Sequence, residues 1–124
     1  MTAAVISIGD ELLIGQTVNT NASFIAAELN QAGIQVKSIL TIADEKNEIS
    51  HALQQASQQS GIVIITGGLG PTNDDITKNT LCEYFGSTLI LHKPSLENIR
   101  KLFYQRGMKI TTVNRNQAMV PHNC

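Results

Sequence analysis

Hydrophobic positions along the chain fall into short runs separated by glycine or polar breaks, and the runs alternate between strand-like and helix-like spacing. Residues 3–8 are small or β-branched apolar residues broken by a single serine, the pattern of a buried parallel strand. Gly9-Asp10-Glu11 ends that run. After a loop, Thr20 or Asn21 offers a side-chain oxygen to cap a helix. Ile25, Ala26, Leu29 and Ala32 follow at helical spacing, and Gly33 ends the helix. Residues 34–42 alternate enough for a second strand. Asp44 begins the next connection, and Ile49, Ala52, Leu53 and Ala56 form the apolar face of a second helix, which Gly61 closes.

Residues 62–65 are a continuous apolar run between turn signals and read as a central strand. Residues 66–72 make a glycine loop. Residues 77–85 form a short helix with Leu81 and Phe85 inward, stopped by Gly86, and residues 88–91 form another strand. Pro94 suits the first turn of a further helix, with Leu96, Ile99, Leu102 and Phe103 on one face and Gly107 beyond it. The alternation of strand and helix predicts a mostly parallel sheet with helices on both faces. Residues 110–124 offer no closing element, so we expect the domain to continue past the end of this chain.

Composition narrows the functional classes. At 124 residues and 42% apolar content the chain is one domain's worth of sequence with a real core. A net charge of −1 argues against a nucleic-acid surface, which leans on clustered lysine and arginine. Two cysteines, Cys82 and Cys124, are too few for a disulfide framework and lack metal-ligand spacing. The amino terminus enters a strand at once, without a signal peptide, and no apolar run approaches the roughly 20 residues of a membrane span. The expectation is a soluble cytoplasmic protein with no membrane partner.

The strongest chemical signal is I-I-T-G-G-L-G-P-T at residues 64–72. Gly67, Gly68 and Gly70 directly after a strand permit positive φ and remove the Cβ atoms that would hold a ligand off the backbone. Successive free N–H groups there make an anion nest at the carboxyl end of a parallel sheet, where ligands bind, and Thr66 and Thr72 add hydroxyls. The alternative is a glycine-rich connection with no ligand. The loop is neither G-x-G-x-x-G nor a P-loop, since the Gly-Lys-Ser/Thr ending is missing. Asp74 and Asp75 follow at once. Two carboxylates beside a phosphate repel it unless a divalent cation lies between, and Mg²⁺ favours one or two carboxylates together with phosphate oxygens and water. Asp75 is expected to face the site, with Asp74 dispensable; the alternative is a helix cap and a solvated neighbour.

Asp10, Glu11 and Asp44 sit after the first two strands, on the same rim as the glycine loop if the sheet is parallel. Singly each fits a cap or a turn; together they make a metal-assisted site an open reading. Asn19-Thr20-Asn21 either caps a helix or also holds a ribose or base edge, and Arg115 either reaches a phosphate or lies in an exposed turn. His51, His92 and His122 share no motif.

Three segments carry a family resemblance. S-I-G-D-E-L-L-I-G-Q-T-V-N-T-N at residues 7–21, T-G-G-L-G-P-T-N-D-D-I-T at 66–77 and N-R-N-Q-A-M-V-P at 114–121 resemble the signatures of the competence-damage-inducible CinA family, in family order. The wider superfamily is the molybdopterin-binding domain of MogA, MoaB and gephyrin, whose T-G-G-x-G loop precedes D-x-T. The resemblance implies a three-layer α/β/α sandwich and matches Asp75 to the acidic residue of D-x-T and Asp44 to the acidic residue after the second strand. It also implies metal-dependent hydrolysis of the ADP-ribose pyrophosphate, or, as the alternative, a non-catalytic nucleotide- or molybdopterin-binding module. In the enzymatic reading Asp44 and Asp75 are catalytic and, with Asp10, hold Mg²⁺, Mn²⁺ or Co²⁺. Thr66, Gly67, Gly68, Gly70, Thr72, Thr77, Asn19, Asn21 and Arg115 contact the substrate. The family adds a carboxyl-terminal amidase domain, and its first domain continues with an N-x-x-G-T-A-P-G segment; neither is in this sequence. We expect a homo-oligomer that binds a small-molecule nucleotide.

Overall fold

The computed structural model describes residues 1–68 and 74–123, with the side chains of residues 74 and 75 outside the description. It divides into two compact units, Met1–Gly70 and Pro71–Cys124.

In the first unit, β1 (Thr2–Ile8) lies between β2 (Gln35–Ile42) and β3 (Ile62–Gly67), and both pairings are parallel. Residues 3–8 are buried without interruption, as a strand with neighbours on both edges and helices nearby requires. The run at 62–65 was expected to be the central strand. Among the described residues β1 holds that place, while β3 flanks it and stays half-buried. A short apolar run shows burial but cannot rank two buried strands against each other.

Helix α1 (Asp10–Leu13) occupies the start of the segment expected to be a loop. Four residues are too few to show a helical period in sequence. Helix α2 (Thr20–Gln31) is capped by Asn19, whose Oδ1 accepts from the Ala22 N–H at 3.2 Å, one residue before the caps expected at Thr20 or Asn21. Gly33, at φ 76°, turns the chain out of α2 toward β2. Helix α3 (Lys46–Gln59) buries Ile49, Ala52, Leu53 and Ala56, the face its spacing predicts. Their Leu53 and Ile49 side chains join Val5, Ile6 and Ile8 as the largest fully buried groups. Burying such side chains supplies roughly 1.5–3 kcal/mol each.

The second unit carries α4 (Asp74–Phe85), β4 (Leu89–Leu91), α5 (Lys93–Gln105), α6 (Thr112–Asn116) and β5 (Met119–Pro121). β4 and β5 pair antiparallel, Leu91 opposite Met119 and Leu89 opposite Pro121. The end of the chain was expected to hold no closing element; instead α6 and β5 fill it. α6 begins with a capping box in which Thr111 and Asn114 exchange hydrogen bonds. Phe85 is 58% exposed rather than inward, and Leu102 is 52% exposed. Among the described residues of α4, Thr77, Lys78, Thr80 and Cys82 are buried, while Leu96 is the buried residue of α5. Lys78 donates from Nζ to the Asn116 carbonyl at 3.0 Å, tying α4 to the end of α6.

Candidate functional site

The carboxyl ends of the three parallel strands meet in register. Ser7 of β1 pairs with Thr41 of β2 on one side and Thr66 of β3 on the other, so three hydroxyl residues form one rung across the sheet. Side chains paired across a parallel ladder project from the same face. One rung further, Ile8 pairs with Ile42 and with Gly67.

Gly67 and Gly68 take φ of 88° and 64°, the left-handed region that glycine alone enters without cost. At Gly67 a second constraint applies. A Cβ there would fall on the Ile8 carbonyl oxygen, which belongs to the neighbouring strand and cannot swing away. Both glycines expected to open a nest therefore take positive φ. Gly70 and Thr72 lie outside the described residues.

A cavity of about 140 Å³ opens beside this strand end. Ser7, Thr66 and Gly67 contribute to its lining, and the stretch between Glu11 and Asn21 supplies the rest, including Thr17 and Asn19. The stretch is fixed by its own backbone: the Glu11 carbonyl accepts from Gln16 N at 3.0 Å and Thr17 N at 3.2 Å, and Gly15 turns at φ 73°. Asn19 is held from both ends of its amide. Its Oδ1 caps α2 and its Nδ2 donates to Thr41 Oγ1 at 3.3 Å. Asn19, Asn21, Thr66 and Gly67, all expected at the substrate, thus share one cavity.

Ser7 was not singled out in the sequence. It is fully buried, and among the described residues its Oγ meets no hydrogen-bond partner. Such a group costs roughly 1–3 kcal/mol in folding. Its signal was recurrent: the three strands end I-S-I, L-T-I and I-T-G, each with a hydroxyl residue one rung from the end.

The acidic rim is only partly gathered. Asp10 Oδ1 accepts from the Asp44 N–H at 3.3 Å, and Gly9 N–H donates to the Ile42 carbonyl at 3.1 Å, so Asp10 stitches the end of β1 to the connection after β2. This is a structural use of one Asp10 oxygen. Among the described residues no group of three or more His, Cys, Asp or Glu side chains is gathered to hold a metal ion. Asp10 and Asp44 are hard oxygen donors in adjacent positions. The bond between them joins the Asp10 side chain to the main chain of Asp44 and not carboxylate to carboxylate. The Asp75 carboxylate lies outside the description. In the second unit Thr77 is buried and Arg115 is exposed on α6.

Among the described residues no helix is long and apolar enough to cross a membrane. Residues 4–122 match the family model described as "Probable molybdopterin binding domain". A CinA-like protein of Cytophaga hutchinsonii is 48% identical over 98% of this chain, and one of Flavobacterium psychrophilum is 47% identical over all of it. The chain spans only 29% and 30% of those relatives' lengths. The solved structure of CinA from Thermoplasma acidophilum, described there as of unknown function, is 36% identical with a TM-score of 0.85, covering 99% of this chain and 72% of that one. MoaB of Thermus thermophilus, described as a molybdopterin biosynthesis enzyme, shares the fold at 15% identity and TM-score 0.61, over 97% of this chain and 78% of its own. With the parallel sheet, the glycine turn and these likenesses together, the chain belongs to the molybdopterin-binding domain family and, within it, to the CinA proteins.

Proposed function

We propose that this chain binds a phosphorylated nucleotide at the carboxyl ends of β1 and β3 and, with a divalent metal, hydrolyses its pyrophosphate, ADP-ribose being the substrate of first choice. The observation that carries the reading is the positive-φ backbone of Gly67 and Gly68 beside a polar cavity. Main-chain N–H groups presented without Cβ atoms suit oxyanions, and the chain needs no cationic side chain to attract them.

Asp44 and Asp75 are assigned the catalytic and metal-holding roles, with Asp10 supporting them and Gly70 and Thr72 extending the nest. Mg²⁺, Mn²⁺ or Co²⁺, when bound, supplies Lewis acidity to a phosphoryl oxygen and lowers the pKa of water. The chain's own residues bind and orient. The Gly67–Gly68 backbone receives the diphosphate, Thr66 donates a hydroxyl hydrogen bond, and Asn19 and Asn21 wall the cavity beside it. Thr77 and Arg115 are assigned to the substrate by their places in the family segments.

The test is incubation of the chain with ADP-ribose and each metal in turn, following release of AMP. Metal-dependent release, abolished in Asp44→Asn and Asp75→Asn, supports hydrolysis. Turnover unchanged in both variants refutes the assignments.

A second reading is a non-catalytic nucleotide- or molybdopterin-binding module. It is favoured by the match of residues 4–122 to a model described as a probable molybdopterin binding domain. Calorimetric binding without product in any metal identifies it. The relatives' greater length supports a further carboxyl-terminal domain in the whole protein. Exposed Ile14, Val18 and Phe24 support self-association, which light scattering measures.

A further inference from the structure

The chain's charges are unevenly spread. Residues 1–36 hold Asp10, Glu11 and Glu28 and no lysine or arginine, whereas residues 93–109 hold five of the nine lysines and arginines against one carboxylate, Glu97. Each stretch also leaves large apolar side chains in water, so two surfaces of opposite sign have the same make-up.

The acidic surface lies on α1 and α2. Ile14, 75% exposed, closes α1, and Gly15 turns the chain there at φ 73°. Phe24 is exposed on α2. Glu28 follows it by four residues, which places the two on one side of the helix, and is exposed as well. Among the described residues neither Glu11 nor Glu28 has an ion-pair partner.

The basic surface is made by the end of α5. Gly107 reverses the chain at φ 65°, and the Gly107 and Met108 N–H groups donate to the Tyr104 and Phe103 carbonyls at 3.0 and 2.9 Å. The reversal brings Met108 and Lys109 beside the last turn of the helix, where a groove of about 470 Å³ opens. Met108, Ile110 and Tyr104, itself 87% exposed, supply its apolar lining, and Lys101 and Lys109 supply cations. Arg100 pairs with Glu97 at 2.8 Å, but among the described residues Lys101, Arg106 and Lys109 make no ion pair.

An apolar centre edged by unpaired charge of one sign fits a partner with an apolar centre and the opposite sign. Either surface laid on its own copy sets like charges against each other, which opposes a two-fold contact. Laid on the other surface, the carboxylates meet the lysines and the apolar side chains leave water together. We infer that the α5 groove of one chain takes the α1–α2 face of a second copy, so that copies associate head to tail. The inference rests on the self-association proposed above and deepens it by naming the two faces; it does not depend on the nucleotide reading.

The experiment is sedimentation of the parent chain and of two variants, each disabling one face. Ile14→Ser with Phe24→Ser removes the apolar centre of the acidic face, and Lys101→Glu with Lys109→Glu reverses the basic one. All four side chains are exposed, and melting followed by circular dichroism confirms that both variants are folded. The parent should sediment above the mass of one chain. Raising the salt from about 0.1 M to about 1 M shortens the screening length from roughly 10 Å to 3 Å and should weaken the association several-fold. Each variant alone should be monomeric. Mixed one to one, the two should form a dimer and nothing larger, because each keeps one intact face and the intact faces are complementary. A variant that still dimerises alone, or a mixture that stays monomeric while the parent associates, overturns the head-to-tail contact and leaves self-association standing. So does association that salt leaves unchanged. A parent chain that is monomeric at its highest attainable concentration overturns both.

Discussion

Replacing Gly67 with alanine tests whether the strand end is built around a close approach of two backbones. Two costs add at this position. A non-glycine residue held in the left-handed region costs roughly 1–2 kcal/mol. The new methyl also meets the Ile8 carbonyl oxygen, a main-chain atom of the adjacent strand, and relieving that overlap by shifting packed backbone costs roughly 1–3 kcal/mol more. The sum is about 2–5 kcal/mol, a large part of the roughly 5–15 kcal/mol that stabilises a typical domain. Gly33→Ala is the internal control. Gly33 has a similar φ of 76°, but a Cβ there meets nothing within 4 Å, so only the first cost applies. For a chain of 124 residues, each kcal/mol moves the melting temperature by about 4 °C. Gly67→Ala should therefore melt about 8–20 °C lower and Gly33→Ala about 4–8 °C lower, read by circular dichroism at a fixed scan rate. Equal losses in the two variants would refute the close approach, because the positive φ alone would then account for both.

Other substitutions separate folding from binding. Asn19→Ala removes the cap of α2 and the hold on Thr41, and should cost about 0.5–2 kcal/mol in urea unfolding while weakening nucleotide binding in calorimetry. Ser7→Ala deletes a buried hydroxyl without a partner among the described residues, so stability should rise by about 1 kcal/mol in urea unfolding; a drop in stability would refute that reading. Asp10→Asn keeps an oxygen for the Asp44 N–H and should change stability by less than about 0.5 kcal/mol, whereas Asp10→Ala should lose about 1 kcal/mol. If Asp10 also serves the metal, Asp10→Asn should raise the metal concentration needed for half-maximal AMP release.

Where the sequence pattern was dense, it carried through to structure. Ile49, Ala52, Leu53 and Ala56 recur at helical spacing and are the buried face of α3. Gly33 ends a helix, and Gly67 and Gly68 adopt the φ their place after a strand demands. What stayed hidden was short or depended on pairing. α1 has too few residues for a period, and Met119–Pro121 contains a proline, so β5 shows only through its pairing with β4. Phe85 lies on the predicted helix but faces out, because periodicity gives the presence of an apolar face and not where its neighbours stop. Ser7 hid for a related reason. Inside an apolar run one small hydroxyl residue reads as tolerated packing, and only the register against Thr41 and Thr66 shows that three such residues form a row.

The walls of the cavity come mostly from one unbroken stretch, residues 11–21, while its base is strand ends and bare backbone. Recognition in such a pocket is portable. An eleven-residue exchange between two relatives should carry ligand preference with it and leave the sheet undisturbed, whereas the same change spread over three strands would have to be co-ordinated with the core. Diversification of ligand choice on this scaffold is then a matter of editing a single contiguous segment.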